Sequence, residues 1–260
     1  MQGLVGMTFS APQFVARLAR DMAEVRAAQR LRYDVFVAEL GADGPMVDHE
    51  NRLECDGYDA HFDHLLLFDQ ARGNQVVGVY RLMTGEAAEA GIGFYSAEEY
   101  DLYPLLSSGR RLLELGRSCL HRDYRGTDAM FRLWTALGDY VLEREIEILF
   151  GVASFHGADL EALAAPLAYL HHHHLAPSNL RVRARAEHFQ RMDLMPRWRI
   201  DRKMAMRATP ALIKAYLRLG GFIGEGAFRD RAFNTTDICV VMDTDRMNAR
   251  QRDFYARGRN

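Results

Sequence analysis

Apolar residues set the first divisions of the chain. Phe14, Val15, Leu18, Met22, Val25, Leu31, Val35 and Phe36 recur at steps of three and four, which predicts a helix over residues 12–40. Ser10 and Pro12 would start it and Gly41 would stop it. Residues 41–63 break the pattern with a polar stretch too long for an ordinary connection. Two strands follow, HLLLFD at 64–69 and QVVGVYRLMT at 75–84, with ARGN between them as a hairpin signal. Residues 85–110 are a second irregular excursion. RLLELGRSCLH (111–121) reads as a strand. A helix over 128–145 follows, with Met130, Leu133, Trp134, Leu137 and Leu142 on its apolar face. ILFGVASF (148–155) is a strand, and ADLEALAAPLAYL is a helix disturbed at Pro166. A short helix capped by Thr209 with Pro210 in its first turn ends at Gly220-Gly221. GFIGEGAF and TTDICVVMD close the pattern as strands.

Strands and helices mingle without strict alternation. The expected fold class is α/β (α+β), with a mixed, largely antiparallel sheet flanked by helices. Residues 1–155 would form the core. Residues 156–260, a C-terminal helix and strand extension, would complete the sheet within one continuous domain.

Composition narrows the class. The 260 residues are 48% hydrophobic and 26% charged, as in a soluble globular protein, and no apolar run spans a bilayer. The N-terminus lacks a signal peptide's charged start and apolar core, so a cytoplasmic location is expected. Three scattered cysteines without a CxxC pair speak against a zinc knot or a disulfide framework. Four adjacent histidines, His171–His174, point round a helix rather than to one ion, so no metal site is expected. Residues 43–69 hold eight acidic side chains against Arg52 alone, a setting for a cationic ligand. Residues 181–203 hold eight Arg or Lys against three Asp or Glu, which suits an acidic partner or a membrane surface.

The densest chemistry lies in ELGRSCLHRDYRGTDAMFRLW (114–134), a strand running into Arg125-Gly126 and a helix start. Amides and the helix dipole there favour an anion. Strict alternation puts Glu114, Gly116 and Ser118 on one strand face and Leu113, Leu115 and Arg117 on the other; a bulge at Gly116 would break it. Amide formation from a thioester requires a base for the amine, and Glu114 is the candidate. Asp56 and Asp59 would hold a substrate ammonium. Arg81 or Arg117 would clamp a carboxylate, and Arg32 would neutralise buried charge. A structural ion pair of Glu114 with Arg117 or Arg81 is the competing reading. Cys119, with His121 two residues on, is a further candidate nucleophile.

The Arg125-Gly126 turn resembles the acyl-CoA motif of the GNAT N-acyltransferases, with Asp128 where that motif keeps a small residue. A carboxylate there would repel a pyrophosphate by about 1 kcal/mol or more. The resemblance therefore implies a donor with one phosphate, the phosphopantetheine of acyl carrier protein, held by Arg125, Gly126 and Thr127. Arg32, Phe36, Asp56, Tyr58, Asp59, Arg81, Glu114 and Arg117 also resemble the pattern of the acyl-homoserine-lactone synthases. Two features of that family are absent: a tryptophan after the first helix, and the serine whose place Gly116 takes.

YLHHHHLAPSNLRVRA (169–184), PALIKAYLRLGGFIGEGAF (210–228) and TTDICVVMD (235–243) are similar to the L-ornithine Nα-acyltransferases. This resemblance spans most of the chain. It implies a GNAT-like core that moves a (3R)-3-hydroxyacyl chain from acyl carrier protein to the α-amine of L-ornithine, giving lyso-ornithine lipid. It implies no tightly bound cofactor, a carrier contact through Arg181, Arg183 and Arg185, a second acyltransferase acting on the lysolipid, and peripheral contact with the inner membrane. The alternatives are an acyl-homoserine-lactone synthase using S-adenosylmethionine, and a non-enzymatic basic binder of nucleic acid or membrane. The acidic first third argues against nucleic acid.

Overall fold

The computed structural model describes residues 11–231 and 233–246. One nine-stranded sheet organises them. Its strands are β1 (Phe14–Leu18), β2 (Asp63–Asp69), β3 (Gln75–Thr84), β4 (Leu112–Leu120), β5 (Ile148–His156), β6 (Phe189–Gln190), β7 (Phe222–Ile223), β8 (Ala227–Asp230) and β9 (Thr235–Asp243). The order is β1-β2-β3-β4-β5-β9-β8-β6, with β7 also on β9. All pairings are antiparallel except β4 with β5. The mixed, mostly antiparallel sheet is the class expected from the pattern, and it runs through both halves of the chain. The helices of eight residues or more that the argument uses are α1 (Met22–Arg32), α2 (Ala129–Glu143), α3 (Leu160–His174) and α4 (Ala211–Arg218).

The two sheet faces have different cover. Leu67, Leu82, Leu113, Leu149 and Val240 pack under α2, α3 and α4, which supply Leu133, Leu137, Leu167 and Ile213. On the opposite face α1 lays Ala28 and Leu31 over Leu66 and Val79. Beyond α1 that face is covered by irregular chain, with Phe94, Tyr100, Leu105 and Val182 over Phe150 and Val241. Irregular backbone with buried aromatics leaves room for a polar site that a helix would have filled.

The predicted helix over 12–40 divides into three. Residues 14–18 are an edge strand paired with β2. Asp21, whose side chain accepts from the Glu24 amide, starts α1, and Tyr33–Glu39 continue as a π-helix. The Ser10 cap lies outside the described residues. Gly41, at φ +76°, follows the end as expected. In α2 the apolar stripe turns through Tyr140 and Val141, and Leu142 is exposed. α3 runs on through the histidine tract. Thr209 does not cap α4: its hydroxyl donates back to the Ala205 carbonyl, and Pro210 holds the N-cap position. Among the described residues no helix is long and apolar enough to cross a membrane.

Candidate active site

The site begins where two strands part. β4 and β5 are paired in parallel at only three positions, Leu112, Leu113 and Glu114 against Ile148, Leu149 and Phe150. Gly151 follows, and a Cβ there would overlap the Leu115 carbonyl oxygen, so glycine is required at the point of divergence. A cavity of about 350 Å³ lies beyond, lined by Leu115 to Ser118 of β4 and Gly151 to Ser154 of β5. Strand alternation gives it two characters. Leu149, Ala153, Leu212, Tyr216, Val240 and Met242 line an apolar branch under α4. Arg81, Tyr95, Glu99, Glu114, Arg117, Asp230 and Asp237 line a charged branch on the other face. Tyr80 and Tyr216 share a 2.8 Å hydroxyl contact at the apolar branch, and Trp134 Nε1 donates to Tyr80 at 2.9 Å.

A bulge sets the charged branch. β3 pairs Arg81 with Gly116 and Val79 with Cys119, so Arg117 and Ser118 together oppose Tyr80. Arg117 adopts φ +50°. The predicted alternation fails here, one residue past the expected bulge at Gly116. Arg117 joins Glu114 on one face, its guanidinium 4.8 Å over the Tyr95 ring.

Six side chains brought from four segments form a closed ion-pair network. Arg32 is fully buried and bonds Glu54 and both oxygens of Asp59, the latter at 2.6 and 2.8 Å. Arg81 Nη1 bonds Asp56 at 2.6 Å and Asp59 at 2.9 Å. Arg117 reaches Glu54 at 3.0 Å and Asp56 at 3.3 Å. Three guanidinium groups match three carboxylates. Burial opposes the charge on Asp59, but the Arg32 hydrogen bonds and charge outweigh it and hold the carboxyl well below its usual range. Gln29 and the Asp56 amide also donate to Asp59, whose oxygens are thereby satisfied. The network therefore gives Asp56 and Asp59 the task of fixing Arg81 and Arg117, rather than presenting open oxygens to an ammonium. Arg81 Nε and Nη2 remain buried donors with no hydrogen-bond partner, beside the cavity and over the Phe62 ring.

Glu114 lies in the cavity wall but not in the network. Its oxygens accept from the Tyr95 and Ser96 amides at 2.9 and 2.5 Å, and burial raises its pKa. The competing reading, an ion pair with Arg81 or Arg117, has no contact among those described. Cys119 is buried, and burial pushes its thiol up to about 12, which removes it as a nucleophile near neutral pH.

At the start of α2, Gly126 adopts φ +81°. Thr127 Oγ1 accepts from the Ala129 amide at 3.2 Å and donates to the Tyr124 carbonyl. Arg125 is half-exposed and paired with Glu39 at 2.9 Å. Asp128 turns to Arg132 at 3.0 Å. In the basic segment, Arg181 donates to the Ala176 carbonyl, Arg183 pairs with Glu225 and Arg185 donates to the Ala97 carbonyl. These three are occupied locally, while Arg197, Arg199, Arg202 and Lys203 stand exposed around Trp198. Among the described residues, two clusters bring metal-ligating atoms within 4.8 Å of one another: His171, His172 and Asp193, and Glu99, Asp230 and Asp237. Asp193, from outside the helix, supplies what the histidine run lacks by itself.

Glu54, Glu99, Asp230, Asp237 and Gly151 were assigned no role from the sequence. Asp237 left a signal, a carboxylate sharing a strand face with Cys239 and Val241. Glu99 left none, since only the fold brings its turn to β9.

Comparison with known proteins follows the same lines. The acetyltransferase (GNAT) domain family matches residues 31–135. An L-ornithine Nα-acyltransferase of Rhodobacter capsulatus is 62% identical over 246 residues, 93% of this chain and 94% of the relative. That of Brucella abortus is 43% identical over 245 residues, 92% and 87% of the two chains. Among solved structures, FeeM, an N-acyl amino acid synthase from uncultured soil microbes, aligns with TM-score 0.50 at 14% identity, over 91% of this chain and 93% of that one. The CoA-dependent acyl-homoserine lactone synthase BjaI aligns with TM-score 0.50 at 16% identity, over 95% and 89%. These two show a shared fold. With the parted strands, the 62% identity over nearly the whole chain places this protein in the L-ornithine Nα-acyltransferase family, as an acyltransferase with a GNAT-like fold.

Proposed function

We propose that this acyltransferase moves a (3R)-3-hydroxyacyl chain from the phosphopantetheine of acyl carrier protein to the α-amine of L-ornithine, giving lyso-ornithine lipid. The observation that carries the reading is the cavity between β4 and β5, apolar on one face of the sheet and charged on the other. The acyl tail lies among Leu149, Ala153, Leu212, Val240 and Met242. The amino acid enters the charged branch, its carboxylate toward the unpartnered Arg81 N–H groups and Arg117. The thioester meets the amine between the two. The ammonium loses a proton to Glu114, directly or through water, before attack. The amine nitrogen then bonds the thioester carbon, the C–S bond breaks, and the nitrogen's second proton passes to the departing thiolate. Strand edges left without a ladder partner supply amides for the oxyanion. The names of the curated relatives support ornithine as acceptor.

Donor choice rests on this chain's own turn, since one protein of the same fold, BjaI, is CoA-dependent. With the Ala129 amide already taken by the Thr127 hydroxyl, the helix start has fewer amides to offer and suits a single phosphate, whereas Asp128, although paired with Arg132, opposes a second. Asp128→Gly is expected to raise kcat/KM for the free acyl-CoA several-fold, with carrier-bound substrate little changed. Unaltered use of acyl-CoA would separate this turn from the phosphates.

The exposed basic residues suit an acidic carrier better than the three locally occupied arginines. Arg197→Glu with Arg202→Glu is expected to raise KM for acyl carrier protein about tenfold at low salt, an effect that fades near physiological salt. KM for a small acyl-pantetheine should not move; an equal rise with both donors would contradict a carrier contact.

The reading is tested by thiol release from purified 3-hydroxyacyl carrier protein with a panel of amino acids. Release with ornithine and an N-acylornithine mass support it; release with S-adenosylmethionine instead would favour a lactone synthase. The product retains a free 3-hydroxyl, so a second acyltransferase forming an ester would consume it.

A further inference from the structure

One polar cluster lies inside the apolar branch of the cavity. Tyr80 of β3 is fully buried. Its hydroxyl oxygen accepts from Trp134 Nε1 of α2 at 2.9 Å and meets the Tyr216 hydroxyl of α4 at 2.8 Å. Tyr216 also stacks on Trp134, with ring centroids 6.1 Å apart and planes at 20°. Three elements thus hold these groups in place. Ser118 of β4 completes the cluster. Its side chain approaches the Tyr80 hydroxyl, but the two make no well-formed hydrogen bond, and Ser118 Oγ is left buried without a partner among the described residues. Ser118, Tyr80 and Tyr216 all line the cavity.

The bulge in β4 puts the serine there. Strict alternation would place Ser118 with Glu114 and Gly116 on the charged face. The extra residue turns Arg117 to that face and Ser118 to the other. Leu115 and Leu120 accordingly pack in the core under the helices, while Cys119 packs on the side of α1. One backbone irregularity therefore supplies a cation to the charged branch and a hydroxyl to the apolar one. Adjacent in the chain, the two stand at the same level of the cavity. Arg117 faces the amino acid, so Ser118 meets the acyl chain at its thioester end rather than at its tail. A buried hydroxyl without a partner is costly in an apolar wall. A plain hydrocarbon chain leaves that cost in place. A chain with a hydroxyl close to its thioester offsets it, and loses little when its own hydroxyl leaves water.

We propose that Ser118, with Tyr80 and Tyr216, forms a subsite for the 3-hydroxyl of the acyl chain and makes the enzyme select hydroxylated over unsubstituted donors. Ser118 donates to the ligand oxygen, and the ligand hydroxyl donates to one of the tyrosine oxygens. The assignment rests on the donor reading above.

The test is calorimetric binding of two non-transferable pantetheine thioethers to the full-length enzyme, equal in chain length, one with the 3-hydroxyl and one without. Wild type is expected to bind the hydroxylated ligand about tenfold or more tightly, the scale of one hydrogen bond and of the buried partner that its loss leaves unpaired. Ser118→Ala should shrink that ratio to about twofold or less. Tyr216→Phe should shrink it too, and keeps the comparison available if Ser118→Ala does not fold. Equal wild-type affinity for the two ligands overturns the subsite whatever the variants do. An unchanged ratio in Ser118→Ala overturns it as well, and so does an equal loss of both ligands, which is what a purely structural cluster would give. Thiol release with ornithine separates this subsite from the reaction proposed above. Equal binding of the two ligands by an enzyme that does form N-acylornithine would remove the subsite alone. Preference for the hydroxylated ligand without N-acylornithine would leave the subsite standing and remove ornithine as acceptor.

Discussion

Replacing Arg32 by methionine is expected to destabilise the protein by about 3–5 kcal/mol. The side chain is fully buried and donates to Glu54 and to both oxygens of Asp59. Its loss leaves two carboxylates, at 0% and 7% exposure, with one guanidinium each, Arg117 for Glu54 and Arg81 for Asp59, and three network acids facing two cations. At roughly 2–4 °C per kcal/mol for a chain near this size, the melting temperature should fall by about 6–20 °C. Arg32→Lys should recover little of the loss. A single ammonium does not reproduce the guanidinium fork that serves four acceptor atoms, the Glu54 carbonyl among them. Thermal unfolding of the purified variants measures both. A drop under about 2 °C would mean the network is solvated and contributes little, as surface pairs do.

The second large effect belongs to Gly151. Gly151→Ala places a methyl group against the Leu115 carbonyl, a backbone atom that moves only if β4 and β5 move. The strands would part earlier or at another angle. Overpacking of this kind costs about 1–3 kcal/mol. Turnover should fall further, by about 100-fold, because the thioester and the amine would meet out of line. Comparing melting temperature with turnover separates the two effects. Near-normal turnover in a stable Gly151→Ala protein would show that the divergence point does not set the reaction geometry.

The sequence disclosed the sheet better than its edges. β2, β3, β4, β5 and β9 stand within a residue or two of the apolar runs that marked them. Their inward side chains repeat every second position or fill both faces. β1 was hidden because Phe14, Val15, Leu18 and Met22 satisfy helical steps as well as strand alternation, and pairing with β2 decides between the two. The π-helical turn from Tyr33 to Glu39 leaves no periodic trace over so few residues.

Legibility of the site divides in the same way. Arg32, Asp56, Asp59, Arg81, Glu114 and Arg117 were readable as a group, and the fold does gather them. Their division of labour was not readable. It depends on the bulge that turns Arg117 across the strand, and on Glu54, one of eight acidic residues in its stretch. The acid cluster needs Glu99 and Asp237 in one place, which only the covering of the sheet by irregular chain provides.

The central claim is that the acyl arm and the amino acid meet between β4 and β5. Its most direct test is photolabelling with a 3-hydroxyacyl-pantetheine that carries a diazirine at the end of the acyl chain, followed by peptide mass spectrometry. The account predicts adducts on Leu212–Tyr216 and Val240–Met242, the apolar branch of the cavity, suppressed by unlabelled acyl carrier substrate. Labels confined to the exposed basic segment, with both cavity peptides unmodified, would contradict it.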